Sequence, residues 1–123
     1  MPTIEGWVAG AFDVSGHVFP RQAGGLGVRI FLPHRALAQQ IRNVLGGSVG
    51  GIDPARWTIS DPEDLEEFLH KVGPFVRGQK GPIQWLHQWV DEEITTDQAE
   101  GALNIFYRRY KPLKRREKNH ATV

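Results

Sequence analysis

The sequence predicts one α+β domain in which two β-hairpins alternate with helices, in the order αββαββα, with additional helices at the C-terminal end. Three observations support this fold class. The chain of 123 residues is long enough for one domain with a hydrophobic core. Apolar residues recur at helical spacing near the N-terminus, and two pairs of short β-type segments are each joined by a turn. Two hairpins between helices favour a four-stranded antiparallel sheet with helices on one face, which leaves the other face free.

The first half of the chain is predicted to hold a helix, a hairpin and a second helix. In order, these are a helix over residues 2–13, strands over residues 17–22 and 26–32, and a helix over residues 35–45. Ser15-Gly16 ends the first helix, with glycine in the position that commonly follows a helix. Pro20 makes the first strand an edge strand or a bulged one, because proline cannot donate a ladder hydrogen bond.

The second half is predicted to repeat the hairpin and to end in helices. In order, these are strands over residues 48–52 and 56–59, a helix from Pro62, a helix from Gly81, and a last helix capped by Thr95 or Thr96. The turn Asp53-Pro54 joins the two strands. Ser60 or Asp61 caps the helix that Pro62 opens.

Composition limits the classes of function and indicates one charged segment. The chain has no cysteine, which excludes a disulfide framework and a thiolate metal site. No stretch is long and apolar enough to span a bilayer, and no signal pattern precedes the first helix, so a cytoplasmic location (bacterial or phage) or an organellar interior is expected rather than secretion. Seven basic residues against one acidic residue lie between positions 108 and 118. We therefore divide the chain into a domain over residues 1–110 and a basic C-terminal tail over residues 111–123, where such a tail either contacts phosphates or is simply solvated.

Three segments together carry a resemblance to a known family. Residues 8–16, VAGAFDVSG, resemble the motif of the LAGLIDADG homing endonucleases. The segments IRNVLGG (residues 41–47) and DLEEFLHKVGPFVRGQK (residues 64–80) follow in the order that the family shows. The likeness extends roughly from Ile4 to Val90. It implies a LAGLIDADG-type αββαββα fold whose four-stranded antiparallel sheet forms a saddle over double-stranded DNA.

A single motif implies a homodimer. In the family, motif helices of two copies pack at a two-fold axis, so a long pseudo-palindromic DNA site is expected. Gly6 and Gly10 lie one turn apart and allow close approach of another backbone. The resemblance assigns the following residues to the dimer interface: Gly6, Trp7, Ala9, Gly10 and Asp13.

The strand alternation predicts which side chains face the nucleic acid. If Val18, Val28, Ile30, Trp57 and Ile59 point into the core, their neighbours point to the free face of the sheet. The predicted nucleic-acid-binding residues are His17, Phe19, Arg21, Arg29, Phe31, Arg56, Thr58 and Ser60. Arginine can bond bidentately to guanine, which suits recognition of base edges. A solvated sheet face is the alternative from the residues alone.

The motif departs from the family at its catalytic acid. The resemblance places the metal-binding carboxylate at Ser15, and a hydroxyl cannot replace a carboxylate as the main ligand of Mg²⁺. Asp13 is the nearby carboxylate, with a structural role in the family and a metal role as the alternative. The family's water-organising lysine corresponds to Lys80, or to Arg77. The predicted, degenerate catalytic set is therefore Asp13, Ser15 and Lys80.

The sequence thus predicts a homodimeric protein that binds specific double-stranded DNA and is deficient in cleavage. Whether it is an enzyme stays open at this point. One alternative is an active intron- or intein-type homing endonuclease with Mg²⁺, whereas the binding protein needs no cofactor. Another is a maturase-like helper of intron splicing that binds structured RNA. A third is a module that keeps the fold and binds protein.

Overall fold

The predicted order of elements is confirmed by the computed structural model, which describes residues 3–52 and 54–110. The elements are α1 (Ile4–Ser15), β1 (Gly16–Pro20), β2 (Leu26–Leu32), α2 (Arg35–Leu45), β3 (Ser48–Gly50), β4 (Ala55–Ile59), α3 (Pro62–Lys71), a 3-10 turn (Gly73–Phe75), α4 (Lys80–Val90) and α5 (Thr96–Arg109). The predicted helix start at Pro2, the turn residue Asp53 and the tail over residues 111–123 lie outside the described residues. No helix in the described part of the chain is long and apolar enough to cross a membrane.

The first helix differs from its prediction at both ends. Thr3 caps α1, because its side-chain oxygen accepts a hydrogen bond from the backbone N–H of Gly6 at 3.1 Å. The helix continues to Ser15, and Gly16 follows in an extended conformation (φ −108°) rather than a left-handed one. A Cβ at Gly16 would lie 2.6 Å from Cδ1 of Phe12. Glycine is therefore required at this position by close packing where α1 passes directly into β1, and not by a left-handed helix stop.

The strands form one antiparallel sheet in the order β1-β2-β4-β3. Two strands are shorter than predicted: β1 ends at Pro20 and β3 ends at Gly50. Gly51 follows β3 with φ +73°, a left-handed conformation that turns the chain out of the strand. The central pair aligns Ile30 of β2 with Trp57 of β4, so both side chains point to the same face.

The helices cover one face of this sheet and enclose the core. The five strand residues predicted to point inward are buried: Val18, Val28, Ile30, Trp57 and Ile59. Three further strand residues are also buried: Leu26, Leu32 and Ala55. They meet Val8, Ala9 and Phe12 of α1, Ala38, Ile41 and Leu45 of α2, Leu65, Phe68 and Leu69 of α3, Ile83 and Leu86 of α4, and Ala99 and Leu103 of α5. The strand residues between the buried ones are half-buried or exposed, apart from Gly27. The α+β class with helices on one face is confirmed.

Candidate nucleic-acid interface

The outer face of the sheet carries the residues that alternation places there. We define this outer face by His17 and Phe19 of β1, Arg29 and Phe31 of β2, and Arg56 and Thr58 of β4. All six side chains remain at least partly exposed. The other two predicted residues lie just beyond strand ends, with Arg21 following β1 and Ser60 following β4. Arg21 closes the β1–β2 turn, where its backbone N–H donates to the Gly25 carbonyl at 2.8 Å.

Arg29 is held by two neighbours on this outer face. Its Nε donates a hydrogen bond to Oγ1 of Thr58 at 3.2 Å, and its guanidinium carbon lies 4.4 Å from the centre of the Phe19 ring. Partial burial and, second, the positive charge of Arg56 lower the pKa of Arg29 from its usual value. Arginine nevertheless stays protonated in proteins. The outer face therefore holds two cations close enough to repel each other.

No carboxylate neutralises these arginines within residues 3–52 and 54–110. The ion pair in that part of the chain joins Lys71 to Glu67, 2.7 Å apart on α3. Like charges on neighbouring strands are unfavourable unless an opposite charge is supplied. A polyanion that contacts this face would supply that charge, and phosphates also release counterions on binding.

Aromatic rings lie beside the arginines. The His17 ring stacks on Phe31 with centroids 6.1 Å apart and planes at 12°, and it lies 5.6 Å from the Phe19 ring. Tyr107 of α5 meets the edge of His17 at 6.3 Å. Apolar ring surface of this kind can contact the methyl group of thymine in the major groove. The outer face thus combines cations and apolar surface, and both kinds of group can contact base edges in the major groove.

The C-terminal end of α1 holds the two motif positions expected for catalysis. Asp13 accepts two backbone hydrogen bonds, from Arg77 N to Oδ2 at 2.8 Å and from Gln79 N to Oδ1 at 2.9 Å. The Ser15 hydroxyl donates to the carbonyl of Phe31 at 2.6 Å, and the Ala11 carbonyl lies 3.2 Å from the same oxygen. A serine hydroxyl has one proton, so the shorter contact is the stronger bond. Both side chains act as structural links at this end of α1.

Gln79 is a residue that sequence analysis missed. Its side chain is fully buried, and Nε2 donates to the carbonyls of Phe12 at 2.9 Å and Gly16 at 2.8 Å. Its Oε1 accepts a hydrogen bond from the Tyr107 hydroxyl, which in turn accepts from the N–H of Val18 at 3.0 Å. Burial of the Tyr107 hydroxyl raises its pKa well above the usual value. No local pattern marks Gln79, because a glutamine next to a helix start is ordinarily solvated.

Lys80 is the first residue of α4, and the role that the resemblance assigns to it stays a prediction. Gln79, the preceding residue, extends to the end of α1, whereas the Lys80 side chain is exposed and borders a groove with Gly73, Pro74 and Ile83. The alternative, Arg77, contacts Asp13 through its backbone N–H only. The structure therefore does not bring either basic side chain into contact with Asp13 or Ser15.

In one copy, the residues at this end of α1 do not form a complete magnesium site. Mg²⁺ favours near-octahedral oxygen coordination with at least one or two carboxylates. Asp13 is the carboxylate here, and both of its oxygens already accept backbone N–H groups. Across the described residues, no three His, Asp or Glu side chains are grouped as metal ligands. The metal role of Asp13 therefore stays a prediction, and one copy of the chain does not by itself supply a full set of ligands.

The exposed side of α1 is apolar and has a gap at its centre. Trp7 is 37% exposed and Val14 is 55% exposed, although both are large hydrophobic residues. Gly10 is exposed between them, and a Cβ built there would meet nothing within 4 Å. Ala9 differs from its prediction, because its side chain is fully buried in the chain's own core and cannot contact a partner.

Comparison with solved structures identifies proteins of the same fold. The homing endonuclease I-CvuI, solved in complex with the I-CreI target, matches with a TM-score of 0.66 and 16% identity over 91% of this chain and 85% of that chain. The homing endonuclease I-TnaI matches with a TM-score of 0.57 and 18% identity over 99% of this chain and 98% of that one. The LAGLIDADG meganuclease I-AabMI, bound to uncleaved DNA, matches with a TM-score of 0.63 and 15% identity over 97% of this chain, which spans 49% of that protein.

Sequence comparison adds no further relatives: no protein-family model and no curated protein matches the chain. The fold class predicted from the sequence motif is confirmed by the structural likeness. The chain is similar in fold to the LAGLIDADG homing endonucleases.

Proposed function

We propose that this protein binds a specific double-stranded DNA site as a homodimer and does not cleave it. The observation that carries the proposal is the outer face, where Arg29 and Arg56 have no carboxylate partner among the described residues and Arg29 lies over the Phe19 ring. Two of the proteins similar in fold were solved on DNA. The exposed face that binds DNA is then the one that the helices leave uncovered.

The absence of cleavage is supported by the end of α1. Hydrolysis of a phosphodiester needs a metal or another group that stabilises charge and activates water. Here the hydroxyl of Ser15 is a hydrogen-bond donor to Phe31, and the carboxylate of Asp13 accepts two backbone N–H groups. Both side chains are thus bound to the chain's own backbone, which supports the proposal that they do not assist hydrolysis.

The homodimer is supported by the exposed side of α1. A glycine inside a helix costs about 0.5–1 kcal/mol relative to alanine. Within one copy, nothing requires Gly10 to lack a side chain, because its Cβ position is open. A second copy packed against the exposed side of α1 would explain why residue 10 is a glycine. It would also cover the exposed Trp7 and Val14. The two outer faces would then contact two halves of one pseudo-palindromic site.

The test is selection of bound duplexes from a random DNA pool, followed by incubation of the selected duplexes with Mg²⁺ or Mn²⁺. We expect a pseudo-palindromic site that is bound and left intact. Affinity should fall steeply with salt, on the order of 10³-fold or more between 50 and 200 mM, since several phosphates are contacted. The basic tail over residues 111–123 is proposed to add to these contacts, so its deletion should reduce the salt slope.

Other outcomes would identify the alternatives. Cleavage of the selected site that is lost in Asp13→Ala would establish an active endonuclease and overturn the proposal. Binding of structured RNA in preference to duplex DNA would favour a maturase-like splicing helper. Weak binding to every nucleic acid with little salt dependence would favour a protein-binding module.

A further inference from the structure

Two neighbouring side chains hold Arg29 on the outer face, whereas Arg56 has no such pair of contacts among the described residues. Arg29 of β2 pairs in register with Thr58 of β4, and Phe19 of β1 pairs with Gly27 of β2. Gly27 and Arg29 are two residues apart and therefore point to the same side of the strand. Phe19 reaches diagonally from its own position to the Arg29 guanidinium, 4.4 Å from the ring centre.

Gly27 provides the space in which the Phe19 ring lies. A Cβ at Gly27 would be 2.7 Å from Cζ and 3.0 Å from Cε1 of Phe19. It would also lie 3.1 Å from the carbonyl oxygen of Ile59. Any side chain at residue 27 would thus displace the ring from its position below Arg29. Gly27 lies inside β2 and not in a turn. Glycine at this position is therefore explained by the close approach of the Phe19 ring.

Thr58 makes the second contact that restricts the Arg29 side chain. Its Oγ1 accepts from Nε of Arg29 at 3.2 Å. A ring against the guanidinium plane and an acceptor on Nε together restrict both the tilt and the rotation of the group. Among the described residues, no hydrogen bond uses the two terminal nitrogens of Arg29. Those two nitrogens are the donors that can bond together to O6 and N7 of guanine.

Arg56 provides the contrast on the same face. Its side chain is exposed and its guanidinium lies near Gly50 and Gly51, but neither an aromatic ring nor a side-chain acceptor holds it among the described residues. A long, unrestrained side chain loses more conformational freedom on binding, about 0.5–1.5 kcal/mol for each immobilised side chain. The two arginines are therefore suited to different tasks, although the residue type is the same.

We propose that Phe19, Gly27 and Thr58 are positioning residues that hold Arg29 in one orientation, so that it recognises a guanine at one position of each half-site. This inference rests on the proposed function. Beyond that function, it assigns base discrimination to three residues that need not contact the base. Arg56 would contact the DNA without comparable selectivity.

The test compares matched variants on the duplex obtained by selection, with each base pair of one half-site replaced in turn. Phe19→Leu removes the ring and keeps apolar bulk, whereas Phe19→Tyr keeps the ring. Thr58→Val removes the acceptor and keeps the shape, whereas Thr58→Ser keeps the acceptor. Replacement of the guanine by 7-deazaguanine removes the N7 acceptor alone.

The wild-type protein should prefer guanine at one position by about 5- to 150-fold, which is the range for a bidentate arginine. Phe19→Leu and Thr58→Val should each reduce that preference roughly 2- to 10-fold, at that position only. Phe19→Tyr and Thr58→Ser should retain it. Retention of the full preference in both Phe19→Leu and Thr58→Val, or an equal loss of affinity at every position, would overturn the inference while leaving DNA binding intact.

A measurement on the free protein separates the two levels of the proposal. The ring of Phe19 should shift the NMR signals of the Arg29 side-chain protons upfield, and Phe19→Leu should abolish that shift. An absent shift in the wild-type protein would refute the arrangement itself. If no duplex is bound although the shift is present, the proposed function and the inference that rests on it both fail.

Discussion

Replacement of Gln79 is the most stringent test of how the end of α1 is built. Gln79→Leu removes the donors to the Phe12 and Gly16 carbonyls and the acceptor of the Tyr107 hydroxyl. The Phe12 carbonyl still accepts from the Gly16 N–H, but the Gly16 carbonyl and the Tyr107 hydroxyl proton lose their partner. A buried polar group left without a partner costs about 1–3 kcal/mol, so these two groups would cost about 2–6 kcal/mol if nothing moved. Rotation of Tyr107 and entry of water reduce this to an expected loss of about 2–4 kcal/mol. That is a large share of the roughly 5–15 kcal/mol by which domains are stable.

Gln79→Glu tests the same contacts through charge. At pH 7 a carboxylate oxygen would face the carbonyls that Nε2 now bonds at 2.8 and 2.9 Å, so the variant should be destabilised at least as much as Gln79→Leu. At pH 4 a protonated carboxyl group can donate one hydrogen bond, so the loss relative to wild type at that pH should be smaller. The control is Gln84→Glu, which makes the same change at an exposed position of α4, the helix that Gln79 precedes, and should stay within about 0.5 kcal/mol of wild type.

The assay is urea unfolding followed by tryptophan fluorescence, since Trp57 is fully buried in the folded protein. Protein concentration must be equal throughout, because dimerisation makes apparent stability depend on it. If Gln79→Glu matched the control variant at pH 7, the buried hydrogen bonds of Gln79 would not contribute as argued, and the account of the α1 terminus would be refuted.

Three further predictions concern the C-terminal end of α1 and the exposed side of the same helix. Ser15→Asp should lower the free energy of unfolding by about 1–3 kcal/mol, because a carboxylate cannot donate to the Phe31 carbonyl; Ser15→Thr keeps the donor, and equal urea midpoints for the two variants would contradict this role. Gly10→Ala should raise the stability of the single copy by about 0.5–1 kcal/mol yet weaken the dimer, as measured by sedimentation at several concentrations; an unchanged dimer would exclude this face as the interface. Since burial raises the pKa of Tyr107, its contribution to the free energy of unfolding should be complete below about pH 10 and should fall as pH rises above that value. In Tyr107→Phe, urea unfolding at several alkaline pH values should show a shallower fall, and an equal slope would assign the loss to other groups.

The local features of the fold could be predicted from the sequence because they depend on neighbours in the chain. The limits of β2 and α2 match the predicted ranges, and Thr95 caps α5 with its reciprocal partner Gln98. The alternation of buried and exposed residues on β2 and β4 also follows the pattern. Such features follow from side-chain periodicity and from turn chemistry, both of which act over a few residues.

The roles of the residues in the site depended on contacts between distant parts of the chain. Asp13 and Gln79 are 66 positions apart in sequence, and no spacing rule joins them. The same holds for Phe19 and Arg29, whose contact depends on the space at Gly27 and on the register of two strands.

By itself, the sequence determined that this chain forms an α+β fold with a free sheet face, and it predicted a motif in which Ser15 stands in place of an acid. Only the tertiary structure decided that Ser15, Asp13 and Gln79 are bound to the chain's own backbone and that Arg29 is held in place on the free face. Periodicity assigns a side chain to a face, but its hydrogen-bond partners are set by which distant groups the packed elements bring within about 3 Å of it.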